Sequence, residues 1–193
     1  MTDLIAKMTP VIDETIQRLN VKKFKNDPIG GEHFSKIVSV MSSAYKRHGF
    51  ILERAILERL SENNNLQVWE DRAFAVSNVA DHLVDASLNS PEGLISAQAA
   101  YSAENPSRTL QIDTIVYNKE SNILTCYEIK RGNGLHDSGK RRSILRDLLC
   151  AQVLLKSYGE QRGLKVNTAR SYIIFYYGQC SIKRPFSITG SEL

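Results

Sequence analysis

The chain has 193 residues, of which 42% are hydrophobic and 24% charged, and its formal net charge is +4. That composition is ordinary for a soluble globular protein with one substantial core, and no apolar run approaches the ~20 residues that cross a bilayer. Asp3, Lys7 and Asp13 interrupt the opening segment, so it reads as no secretory signal; the expected compartment is the cytoplasm, with no membrane partner. Cys126, Cys150 and Cys180 are odd in number and far apart, which argues against a disulfide framework or a zinc pair. They are expected as small core residues.

In chain order, Thr9-Pro10 reads as a helix start, a cap followed by proline at the first helical position. Ile12, Ile16 and Leu19 follow at helical spacing. "NVKKFKNDPIGG" is a loop by composition. From Glu32 to about Asn63 the pattern is helical, with Phe34, Ile37, Val38 and Met41 on one stripe, continued by Phe50, Ala55, Ile56 and Leu60. Gly49 is a candidate break within it. "LQVWE" is a strand candidate, a helix is favoured from about Ser77 to Leu88, and "LISAQAAYSAENPS" reads as a short helix and a loop. "RTLQIDTIVYN" and "NILTCYEIKRG" are β-rich runs. "SGKRRSILRDLLCAQVLLKSYG" is helical, with Ile144, Leu148, Ala151, Leu155 and Tyr158 on one face. "ARSYIIFYYG" is a buried central strand, and "FSI" a short last one. Helices, hairpin, helix and strand in this order make a mixed α/β domain.

The hairpin carries the chemistry. A turn at Lys119 to Asn122 sets Asn118 opposite Ile123, which places Asp113 opposite Glu128 and Gln111 opposite Lys130. Residues two apart on a strand share a face, so these four project from one patch. Carboxylates facing each other across a ladder repel, and a divalent cation between them relieves the repulsion. Mg²⁺ takes oxygen ligands and keeps open positions for water and phosphate, with the Ile129 carbonyl as a further ligand. Lys130 is then placed to hold a phosphate or deprotonate a bound water. The other reading is a solvated strand end with Asp113 at its margin.

With Asp113 included, "QID…EIK" resembles the PD-(D/E)XK nuclease superfamily of restriction endonucleases, Holliday-junction resolvases and repair nucleases. That family sets an acid on one hairpin strand and an acid-x-lysine triplet on the next, with a helix before the hairpin and a helix and strand after it. The resemblance implies an α/β restriction endonuclease-like core, a central mixed β-sheet flanked by helices, here with an additional N-terminal helical segment. It implies a single domain over 1–193, with 1–30 an extension and candidate dimerisation arm and 32–178 the core. Asp113 and Glu128 become metal ligands and Lys130 the catalytic lysine. "KRHGFILERAILERL" is similar to the first core helix of the resolvase-like branch, which makes Glu53, after Gly49, a further catalytic and metal-binding carboxylate. The naming proline is absent, since Ile112 precedes Asp113. Gln152 is similar to a glutamine on the following helix of exonuclease-like branches, although the tyrosine spacing differs; Gln111 and Gln152 are accessory candidates.

The expected function is therefore Mg²⁺-dependent hydrolysis of DNA phosphodiester bonds, with Mn²⁺ as a substitute metal and no organic cofactor. Asp113, Glu128 and Glu53 hold the metal and Lys130 serves the attacking water. Arg131, Lys140, Arg141 and Arg142 are candidates for backbone phosphate contacts, which give affinity without sequence choice; an ordinary solvated charge run is the competing reading. Gly132, Gly134 and Gly139 suggest a moving loop. The family implies a homodimer for duplex cleavage. A type II restriction endonuclease is the leading expectation. A structure-selective resolvase or repair nuclease, an inactive nuclease-like DNA-binding module, and a partner-binding protein with incidental carboxylates are the alternatives.

Overall fold

The computed structural model describes every residue except Met1, Phe24 and Asn133; the loops expected around Phe24 and Asn133 are described on either side of them. The chain divides into two compact units, residues 1–59 and 60–193. The division falls near the end of the second helix and not after the N-terminal one.

In the first unit, α1 (Thr2–Val21) begins before the expected Thr9 start. Pro10 therefore lies inside the helix, where its missing N–H gives up one ladder bond. Thr9 is not a cap; its hydroxyl donates to the Ile5 carbonyl at 2.8 Å. Met8 and Thr15 are buried on α1, while Ile12 and Ile16 are exposed, so the buried stripe is rotated from the expected one. Asp27 then makes a tight turn, its carboxylate accepting from the Ile29 and Gly30 N–H groups. From there α2 (Gly31–Ser61) runs unbroken through Gly49, because one helical glycine costs only about 1 kcal/mol. Leu52 and Ile56 are buried along it, whereas Phe34, Ile37, Val38 and Met41 are exposed.

The second unit is built on a mixed sheet of β1 (Leu66–Val76), β2 (Arg108–Asn118), β3 (Ile123–Lys130), β4 (Thr168–Phe175) and β5 (Ser187–Thr189), paired in that order. The pairs β1–β2 and β2–β3 are antiparallel. The pairs β3–β4 and β4–β5 are parallel. A parallel neighbour needs a crossover, which α4 (Ser138–Gln161) supplies between β3 and β4. Between β1 and β2 lies α3 (Asn78–Ser87), capped by Ser77, whose hydroxyl accepts from the Ala80 N–H. A 3-10 turn follows at Pro91–Ile95.

The expected face of α4 is buried: Ile144, Leu148, Ala151, Leu155 and Tyr158 join Leu124, Cys126, Ile173 and Phe175 of the sheet in one core. The helix comes close to β3 at Gly159, where a Cβ would sit 2.6 Å from the Leu124 Cδ2. Burial pushes the Cys126 and Cys150 thiols up to about 12, which leaves them unreactive. Cys180 departs from expectation: it is exposed, after β4. All three cysteines are free thiols. No helix among the described residues is long and apolar enough to cross a membrane.

An ion network ties α3, α4 and β2 together. The Arg108 guanidinium donates to Asp81 at 3.1 Å and to Asp147 at 2.7 Å. Arg146, part of the basic segment, is held by Asp81 and Asp85.

Candidate functional site: a fork between two strands

The expected register of the hairpin holds from Asn118–Ile123 to Thr114–Tyr127, and there the pairing stops. Both strands run on: β2 stays with β1 and β3 stays with β4. The sheet therefore forks, and Asp113 and Glu128 are the first residues past the last pair.

A bulge in β2 sets up the fork. Trp69 and Asp71 of β1 are partnered by Ile115 and Ile112 of β2, so Asp113 and Thr114 together occupy a place meant for one residue. The core-facing positions shift accordingly, from Leu110 and Ile112 to Ile115 and Tyr117. Bulges re-aim side chains and end pairing. Thr114, fully buried here, has a hydroxyl with no hydrogen-bond partner.

The bulge changes the expected patch. Asp113 does not face Glu128 in a ladder; its Oδ2 accepts the Ile129 backbone N–H at 2.7 Å, taking the role a β2 carbonyl would have had. Glu128 is ion-paired to Lys130 through Oε1. Each carboxylate thus already has a donor, so repulsion between them is not what calls for a cation. Glu128 and Lys130 line a cleft of ≈ 280 Å³ between the fork and the first turns of α4, and Asp113 does not line it. Leu110, Ile112, Cys126 and Ile144 give the cleft an apolar floor, and Lys140 reaches it from α4. Gln111 contributes an exposed rim. Arg108 and Asp147 also line it, already paired to one another. Arg108 was not singled out from sequence; a lone arginine at a strand start carries no such signal.

The remaining candidates fall elsewhere. Glu53 is half-buried on α2, in the first unit, with its Oε1 4.0 Å from where a Gly49 Cβ would stand. Gln152 is buried, and its amide donates to the Ile95 and Ala169 carbonyls, so it staples α4 to the 3-10 turn and β4. The N-terminal turn of α4 splits the basic residues: Lys140 lines the cleft, while Arg141 and Arg142 line a second cavity. Asp137 caps this helix by accepting from the Lys140 N–H, and its cap bonds hold its carboxyl below the usual range.

The glycines expected to free the loop after β3 do not all do so. Gly132 is buried at φ +68°, and its carbonyl accepts from Gln179. The Lys130 and Arg131 carbonyls accept from Tyr176 and Tyr177, so the chain leaves β3 in register with the end of β4. Gly139 belongs to α4. His136 is anchored further on, its ring and N–H both meeting the Ser181 hydroxyl at 2.9 Å.

The donor set suits a hard cation in part. Asp113 and Glu128 supply carboxylate oxygens on either side of the fork, and Mg²⁺ is commonly held by one or two carboxylates, with waters and substrate phosphate completing the shell. No group of three or more His, Cys, Asp or Glu side chains suited to a metal occurs among the described residues. No family model, no curated protein and no solved structure matches this chain.

Proposed function

We propose that the chain is a metal-dependent phosphodiesterase acting on DNA, an endonuclease of the PD-(D/E)XK kind. The observation that carries this reading is the fork: an acid at the first unpaired position of each strand, with an acid-x-lysine triplet lining a cleft beside a basic helix start. A helix and then a parallel strand after the hairpin, α4 and β4, are elements in the order the resemblance expects, which adds support.

In this reading Asp113 and Glu128 would hold a divalent cation. The ion, when bound, polarises the scissile phosphate and lowers the pKa of a coordinated water. The residues divide the rest of the work. The bulge and the Ile129 N–H fix the Asp113 carboxylate, so it needs no reorganisation on binding. Lys130, at rest on Glu128, turns to the attacking water or a phosphate oxygen and offsets charge that develops there. The apolar floor of Leu110, Ile112 and Ile144 lowers the local dielectric beside Glu128 and Lys130 and strengthens their interactions. Lys140 contacts a neighbouring phosphate.

The test is cleavage of supercoiled plasmid and of a four-way junction with Mg²⁺, beside Asp113→Asn and Lys130→Ala. Discrete linear fragments from the plasmid mark a restriction-type enzyme, and cutting of the junction alone marks a structure-selective one. If neither substrate is cut under any divalent metal, the enzyme reading is wrong.

A further inference from the structure

A second cavity, of ≈ 390 Å³, lies against a different face of α4 and shares no lining residue with the cleft. Ser138, Arg141, Arg142 and Leu145 recur at the i, i+3, i+4, i+7 spacing of one helical face. Ile144, Asp147, Leu148 and Ala151 repeat that spacing on the cleft side, one turn beyond Lys140. The wall opposite is the connection between β4 and β5, residues 181–186, and the segment after α3.

The lining is divided by chemistry. Leu88, Leu145, Ile182 and Phe186 form an apolar interior, the last two only 6% exposed. Arg141, Arg142, Lys183 and Arg184 surround it, against one acid, Glu92. Arg184 is ion-paired with Glu192. Arg141, Arg142 and Lys183 are exposed and have no ion-pair partner among the described residues. Three uncompensated cations around one mouth repel one another, and a ligand with a negative group removes that cost. A ligand with an apolar, flat body also covers the interior, and the volume is within the range of small-molecule sites.

We infer that this cavity seats one nucleotide of a nucleic-acid strand, the base against Leu145 and Phe186 and the phosphate at Arg141, Arg142 and Lys183. The choice of a nucleotide over another anion with an apolar body rests on the nuclease reading; the cavity and its charge do not. A base reaches an apolar pocket only when it is out of the duplex stack. The first two turns of α4 then hold a strand on both sides, with Lys140 toward the cleft and the arginine pair toward the cavity. The substrate this favours carries an unpaired nucleotide near the scissile bond, as a flap, an end or a branch does.

The experiment is fluorescence anisotropy of a fluorescein-labelled hexadeoxyadenylate with the full chain in EDTA, where no cleavage competes. Arg141→Ala/Arg142→Ala is expected to weaken binding at least tenfold. Leu145→Trp keeps every charge and fills the cavity, and is expected to weaken it as much; Leu88→Trp, from the opposite wall, serves if thermal melting shows Leu145→Trp unfolded. Lys165→Ala/Arg170→Ala, two exposed cations removed elsewhere on the same unit, is expected to bind within twofold of wild type. A folded cavity-filling variant that binds as tightly as wild type overturns the inference, since attraction to surface charge alone would then explain the arginine effect. The two readings fail separately. Cavity-dependent binding without metal-dependent cleavage defeats the nuclease reading, and cleavage without cavity-dependent binding defeats this one.

Discussion

Asp113 accepts the backbone N–H of Ile129 at 2.7 Å, across the point where β2 and β3 part. One side chain closes the end of the ladder and brings a carboxylate to the fork. These two duties separate by substitution. Asp113→Asn keeps an oxygen to accept the Ile129 N–H, so its unfolding free energy is expected within about 0.5 kcal/mol of wild type. Asp113→Ala strands a buried N–H and is expected to lose about 1–3 kcal/mol. Under the nuclease reading both lose cleavage by at least about 10²-fold, because neither supplies a charged ligand. Urea unfolding beside plasmid cleavage reads both effects. A fully active Asp113→Asn would remove Asp113 from the chemistry and leave it a structural residue.

Lys130 sits on Glu128 in a pair whose side chains are about 30% exposed, so their mutual stabilisation is worth no more than about 1 kcal/mol. A cation entering the site must compete with that ammonium. Lys130→Met removes the competitor and keeps the length of the side chain. Mn²⁺ is therefore expected to bind about two- to fivefold more tightly to the variant, while cleavage falls by about 10²-fold or more. Calorimetric titration with Mn²⁺ measures the first. Weaker Mn²⁺ binding by Lys130→Met would mean that Glu128 is not a ligand.

Most elements of the second unit were legible because they carry a local signature, but β1 runs on past "LQVWE" to Val76 and the short helix expected within "LISAQAAYSAENPS" is a 3-10 turn at Pro91–Ile95. Ser77 caps α3, continuous β-branched and aromatic runs make β2 to β4, and the Ile144-to-Tyr158 stripe finds its core. The hairpin register followed from its turn. The fork did not, although its trace is in the sequence: apolar positions 110 and 112 give way to 115 and 117, a break in alternation at Asp113-Thr114 that a bulge explains. An even register carried through that break put Asp113 in the wrong place. In the first unit, periodicity gave helices but the wrong face of α1, because Ile5, Ile12 and Ile16 are as apolar as the buried Met8. Hydrophobic spacing specifies a stripe only where the two faces differ. The α4 basic run looked like one patch, yet consecutive residues on a helix diverge by about 100°, so Lys140 and Arg141 serve different cavities.

Gly132 holds the exit of β3 in place, and its requirement is twofold. Its φ of +68° lies in the left-handed region, which costs other residues roughly 1–2 kcal/mol. An added Cβ would also stand 2.8 Å from the Phe175 Cβ and 3.0 Å from its Cα, and backbone cannot give way cheaply. Gly132→Ala is expected to destabilise the chain by about 2–4 kcal/mol. Gly134 has nothing within 4 Å of an added Cβ, so Gly134→Ala is expected to change stability by less than about 0.5 kcal/mol. Equal losses at both positions in urea unfolding would contradict this account of the loop.

Acid should loosen the second unit through Asp81. Burial pushes its carboxyl up, but the Ser107 hydroxyl and the Arg108 and Arg146 guanidiniums outweigh that and hold it below its ordinary value of 3.8. The Cys150 thiol also faces it at 3.5 Å and stays neutral. A carboxylate whose folded pKa is depressed stabilises the fold fully above its unfolded value, and that contribution is lost as pH falls through the lowered folded value. Unfolding free energy is therefore expected to be flat from neutral pH down to about 5 and to decline below about 4. Asp81→Asn is expected to be less stable than wild type at pH 7 by about 1–3 kcal/mol, since it keeps an acceptor but loses the charge that serves both arginines. The gap between the two proteins should narrow as pH drops from 5 to 3. It will not close the acid limb entirely, because Asp27, Asp85, Asp137 and Glu192 are also held low by their own bonds. Parallel curves for wild type and Asp81→Asn across that range would show that the α3–α4–β2 network contributes nothing to acid sensitivity.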